Sequence, residues 1–237
     1  MKGCFFPEYS IRDNCNFSVY STIAIRSYCA AEKALNRIII DDDLLINGTE
    51  SYLVDENAVV CETFAAFAIE SYLNTYAAAC LGDRIFYDNY ERLSVISKIQ
   101  LISGILYQEQ IEKGSELYYL LKHTFAARDQ HAHNKSRHLD GNTWDEVLAA
   151  TDYSRDRIEV EYATVLSSER DRLTKEVNDA FLGIKTMVAV ACYIDSHDSN
   201  ANAKIRLLHM APGWVVYGST YDENMTGVVS ELIKSMD

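Results

Sequence analysis

Residues 57–81 read NAVVCETFAAFAIESYLNTYAAACL, a stretch with no proline and no glycine. Val60, Phe64, Phe67, Ala68, Ser71 and Thr75 recur at spacings of three and four, which predicts one side of a helix. The many alanines permit close approach of neighbouring helices, and Gly82 suits the end. On the N-terminal side, Tyr20, Ile23, Ala24, Tyr28, Ala31, Leu35 and Ile38 predict a helix from about Phe17 to Ile38, stopped by Asp41, Asp42 and Asp43. Between the two, Asn47-Gly48 flanked by Leu44–Ile46 and Tyr52–Val54 predicts a small hairpin.

Further along, a helix is predicted from about Asn89 to Tyr107, with Val95, Ile99, Ile102 and Leu106 on one stripe. Another follows Gly114 and Ser115, with Leu117, Leu121, Thr124, Arg128 and His131 in line, and a loop runs from Leu139 to Thr143. A long helical stretch spans about Asp156 to Ile194, with a break expected near Ser167 to Arg172 and helix-surface pairs Asp171–Lys175 and Arg172–Glu176. From Lys204 the texture changes. Ile205–Met210 and Trp214–Tyr217 around Pro212-Gly213 predict two strands, and a short helix near Val228 to Met236 closes the chain. The expected fold is all-α: an up-down helical bundle over 1–203 with a small β-hairpin and helix appendage over 204–237.

Composition agrees. The 237 residues hold only two prolines and ten glycines, which favours long uninterrupted helices over a turn-rich β fold. The formal charge of −13 argues against a general nucleic-acid coat, because phosphate affinity comes mainly from Lys and Arg. The best apolar run, Ala180 to Ile194, contains Lys185 and falls short of the roughly 20 residues of a membrane span, so no membrane association is expected. Met1 to Ser10 lacks the apolar region of a signal peptide, and the six cysteines form no C-x-x-C pair. A cytoplasmic chain with reduced, mostly buried cysteines is expected.

Four of the six histidines, His123, His131, His133 and His138, lie between Lys113 and Asp140. Five cationic side chains (Lys113, Lys122, Arg128, Lys135, Arg137) face three carboxylates there, a formal +2 within an acidic chain. Such an island attracts phosphate, and histidine moves protons near neutral pH. A solvated helix end with cations near its C-terminus is the plainer alternative. Asp129 and His133, four apart, with His131 and His138 nearby, have the ligand types of zinc, iron or manganese. No H-E-x-x-H occurs and no Glu stands three residues before a His, so neither a metal nor another cofactor is expected.

Arg128-Asp129-Gln130-His131-Ala132-His133 resembles the R-x(4–6)-H motif of the HEPN superfamily, with Asp129 as the small polar residue after the arginine. Glu62 to Asn74 resembles that family's alanine-rich helix with Glu and Asn four apart, here Glu70 and Asn74. Leu93 to Ile102, with Lys98, resembles the amphipathic helix that follows, and Leu117 to His133 the helix that runs into the motif. The resemblance covers roughly residues 62–138. It implies a HEPN-like bundle that forms a homodimer through its motif face, and a metal-independent endoribonuclease that leaves a 2′,3′-cyclic phosphate. In that scheme His133 transfers protons, Arg128 holds the phosphate and Asp129 orients His133. His131 is the alternative base, because His133 is rotated about 140° from Arg128 on an ideal helix. Lys122, Lys135, Arg137 and His138 are the expected RNA-binding residues. The resemblance further implies a toxin or anti-phage effector with an antitoxin or regulatory partner, or else a non-catalytic dimeric interaction subunit. From the residues alone, Glu70 and Asn74 read as a buried hydrogen-bonding pair.

Overall fold

The computed structural model describes residues 16–40, 48–132 and 155–198, together with 231, 232, 234 and 235. Helix accounts for 89% of these residues, and no strand occurs among them. The elements are α1 (Phe17–Ile40), α2 (Gly48–Leu81), α3 (Asp83–Asn89), α4 (Val95–Ile102) continued by a π-helical turn (Ser103–Tyr107), α5 (Glu116–Ala132) and α6 (Arg155–His197). The predicted strands and loop beyond residue 138 lie outside the described residues, as does the 203/204 boundary.

Side-chain contacts fix the directions of the long helices. Phe17 meets Tyr72 and Arg37 meets Glu50, so α1 runs antiparallel to α2. Asp55 binds Arg172 in a bidentate pair at 2.7 and 2.9 Å, and Tyr76 donates to Asp198, so α2 and α6 run parallel. Glu62 meets His131 while Glu70 meets Arg128, and His123 faces Asp179 while Glu116 meets Lys185. Helix α5 is therefore antiparallel to both α2 and α6.

Helix α2 is the hub, packed on α1, α3, α4, α5 and α6. Val54, Ala58, Cys61, Ala65, Ala68, Tyr72 and Tyr76 are buried along one line, and Ala66, Ile69, Leu73 and Ala77 beside it. Of the predicted side Val60, Phe64, Phe67, Ala68, Ser71 and Thr75, Ala68 is fully buried and Phe64 packs against the core, while Phe67 is 36% exposed. A helix apolar over most of its surface has no single stripe, so spacing alone does not pick out the core-facing side. The predicted hairpin is likewise corrected: Gly48 opens α2, and Tyr52 to Val54 are helical. Val54, Ala58 and Cys61 continue the three-and-four spacing upstream, and that burial outweighs the Asn-Gly turn signal.

The helix predicted from about Asn89 to Tyr107 starts later, at Val95, and a separate short helix, α3, precedes it. Gly82 (φ 86°) breaks the chain after α2, and α3 ends at Asn89. A turn follows, and the Ser94 hydroxyl caps α4 by accepting the Ser97 amide at 3.2 Å. Val95, Ile99 and Ile102 are buried as their stripe predicts. Helix α6 is unbroken where a break was expected. Arg172 reaches Glu169 and Asp55 instead of Glu176, and Lys175 pairs with Asp179 instead of Asp171. By length and composition the Glu169–His197 part of α6 could cross a membrane, a longer apolar stretch than the sequence alone suggested. More than half of its apolar window is buried in the bundle, which is the pattern of a central core helix. Cys61 is buried and donates to the Ala180 carbonyl, and Cys29, Cys80 and Cys192 are half-buried and not joined in disulfides.

Helices α2 and α6 pack tightly at Gly183, where an added Cβ would stand 3.2 Å from the Ala65 Cβ. Gly183→Ala gains about 1 kcal/mol of helix propensity against that crowding, so its unfolding free energy should stay within about 1 kcal/mol of the parent. Gly183→Leu should lower it by about 1–3 kcal/mol or more, because the helices must separate. Urea titration of the two variants checks this.

Candidate functional site

Two of the α2 carboxylates, Glu62 and Glu70, meet cationic side chains of α5. Glu62 is 4% exposed, and its Oε2 lies 2.8 Å from the His131 Nε2. An ionised carboxylate only accepts, so Nε2–H is the donor and Nδ1 keeps the lone pair. Nδ1 has no partner among the described residues. Burial raises the Glu62 carboxyl above the ordinary 4.5, the hydrogen bond and charge of His131 oppose that rise, and nearby Asp179 and Glu176 add to it.

Eight residues on, Glu70 takes two cations. Lys98 Nζ on α4, 2% exposed, is 3.4 Å from Oε1, and Arg128 Nη1 on α5 is 3.6 Å from Oε2. Arg128 is a quarter exposed, and its guanidinium carbon lies 5.3 Å from the centre of the Phe125 ring. Its buried Nε stands 2.8 Å from Asp129 Oδ1 without the alignment of a hydrogen bond. Behind the site, Thr124 and Thr186 share a buried hydroxyl contact at 2.8 Å that ties α5 to α6.

Arg128 and His131 are thus together on the α2 side of α5, as their three-residue spacing allows. Asp129 is exposed and turned to Arg128, and Lys122 is exposed on the same helix. His133, Lys135, Arg137 and His138 lie outside the described residues, so the expected Asp129–His133 contact does too. The Glu70–Asn74 pair is corrected: Glu70 is held by Lys98 and Arg128, and the Asn74 Oδ1 is buried without a hydrogen-bond partner. Glu62 was not singled out from the sequence as a site residue. The available signal was a carboxylate within an alanine-rich apolar run, which demands a partner.

The arrangement offers a carboxylate-held imidazole with its second nitrogen available, beside a guanidinium one turn earlier. It can move a proton and stabilise a phosphate. No family model, curated protein or solved structure matches this chain.

The raised Glu62 carboxyl gives a signed expectation. Folded chain holds the Glu62 proton more tightly than unfolded chain, so stability falls as pH rises from 4.5 toward the raised folded value. Glu62→Gln removes the titration while keeping an acceptor for His131. Relative to this variant, the parent should lose stability as pH rises through that window. Denaturation curves of both proteins at several pH values measure the difference, and parallel profiles would contradict it.

Proposed function

We propose that this chain is a metal-independent endoribonuclease of HEPN type, with His131 as the proton-transfer group. The observation that carries this is the Glu62–His131 contact beside Arg128. Glu62 orients the imidazole and stabilises the imidazolium, the role a buried carboxylate has beside a catalytic histidine. Nδ1 takes the proton of a ribose 2′-OH as that oxygen bonds the adjacent phosphorus. The P–O5′ bond breaks, the 5′ oxygen is protonated, and a 2′,3′-cyclic phosphate remains. Arg128 offsets the charge gathering on the phosphate oxygens, in exchange for its contacts with Glu70 and Asp129. Lys122, with Lys135, Arg137 and His138 from the adjoining segment, supplies the electrostatic attraction for RNA. His133 and the homodimer follow from the family resemblance, in which two Arg–His sets meet across a two-fold axis. So does the role of toxin or anti-phage effector restrained by a protein partner.

One observation favours a second reading, a non-catalytic HEPN-like dimeric interaction subunit. Arg128 is already neutralised inside the chain by Glu70 and Asp129. In such a subunit these contacts only hold α5 on α2.

The two readings separate in a cleavage assay on total RNA. His131→Gln keeps a donor for Glu62, so stability should change by no more than about 1 kcal/mol, while cleavage should fall by a factor on the order of 100 or more. Cleavage should survive excess EDTA and stop at a 2′-O-methylated site, and DNA should remain intact. Retained cleavage in His131→Gln with loss in His133→Ala would move the base to His133. Absence of any cleavage by the dimeric parent protein would favour the interaction subunit.

A further inference from the structure

The open face of α2 is the floor of a cleft of about 560 Å³, within the range of small-molecule sites. Phe67, Glu70, Ser71, Asn74 and Thr75 line that floor at helical spacing, Tyr20 of α1 forms one wall, and Tyr87 with Asp83 of α3 and Glu91 forms the other. Three aromatic rings therefore border it. Tyr20 and Phe67 are in ring contact at 5.8 Å, and Tyr87 is 53% exposed. Three carboxylates join them, and among the described residues no lysine or arginine lines the space. Arg84, next to Asp83, is 95% exposed and directed at Asp88. The Asn74 Oδ1 adds a buried acceptor that makes no hydrogen bond. The hydroxyls and amides of the lining both donate and accept hydrogen bonds, its charged groups are all carboxylates, and the rings present π faces.

We infer that this cleft binds a small organic cation of the linear di- or polyamine class. Ammonium groups at the two ends of such a molecule can reach separate carboxylates: Glu91 or Asp83 on one side, and Glu70 on the other, where the ammonium competes with Lys98 and Arg128. The methylenes between them lie on the aromatic rings, which also attract the charge through their quadrupoles. A compact inorganic cation uses the carboxylates but gains nothing from the rings. The site is separate from the His131 nitrogen proposed for catalysis and does not depend on the ribonuclease reading.

Isothermal titration of the full chain with spermidine tests the inference. One-site binding is expected, weakened by at least about tenfold in Glu91→Gln combined with Asp83→Asn, and by several-fold in Tyr87→Ala, an exposed ring whose loss does not threaten folding. Glu56→Gln combined with Asp171→Asn removes the same charge from exposed positions outside the cleft and should leave binding unchanged. Magnesium chloride at matched ionic strength should compete weakly. Three outcomes overturn the proposal: no binding at millimolar spermidine, equal weakening by the two charge-removing double variants, or full retention of affinity in Tyr87→Ala.

Discussion

The central helix α2, packed on five other elements, sets the terms for the rest of this bundle through two of its carboxylates, Glu62 and Glu70. Hydrophobic burial brings helices together but is not directional, so on its own it leaves α4 and α5 free to slide on α2. A carboxylate in such surroundings costs several kcal/mol unless a partner stands at the right height. Glu62 and Glu70 are about 12 Å apart along the axis, and each accepts only the helix that brings its partner. His131 meets the first, and Arg128 and Lys98 meet the second. Register in this half of the bundle is thus an electrostatic property, with the Thr124–Thr186 contact fixing α5 against α6 from behind.

The same constraint explains what could be read from the sequence. Helix positions were legible where apolar residues recur on one face: α1, the Val95–Ile99–Ile102 stripe and the run from Leu117 to His131 fall where their spacing puts them. Helix α2 was legible as a helix but not in its orientation, because alanines surround it and no stripe dominates. Its first turns were hidden by the Asn47-Gly48 signal, a local preference that burial of Val54 outweighs. The division between α3 and α4 was visible in Gly82 and in Ser94 before Val95, a cap that the apolar stripe downstream obscured.

At the candidate site, the α5 members were legible and the α2 members were not. Arg128 and His131 stand out in sequence because they are three apart and polar. Their partners do not, since nothing in a linear pattern says that Glu62 is opposite His131, sixty-nine positions away. The i, i+4 relation of Glu70 and Asn74 suggested a local pair. Glu70, a third exposed, instead takes the strongest donors in reach, and two cations outweigh a neutral amide. The Asn74 oxygen left without a partner is the visible consequence.

Pairing inside the bundle also decides where its charge is felt. Arg37, Lys98, Arg128, Arg172 and Lys185 each lie against a carboxylate of the same chain, so these cations hold helices together and contribute little field outside. The chain as a whole carries −13, and its unpaired charge is correspondingly acidic. An anion that reaches Arg128 competes there with Glu70 and Asp129. Glu70 stands between the two proposed sites, lining the cation cleft on one side and holding Arg128 on the other. A cation that settles on Glu70 weakens the hold on Arg128, and a phosphate that captures Arg128 leaves Glu70 more negative toward the cleft. On the two proposals taken together, a cation at Glu70 and a phosphate at Arg128 favour one another through a single carboxylate.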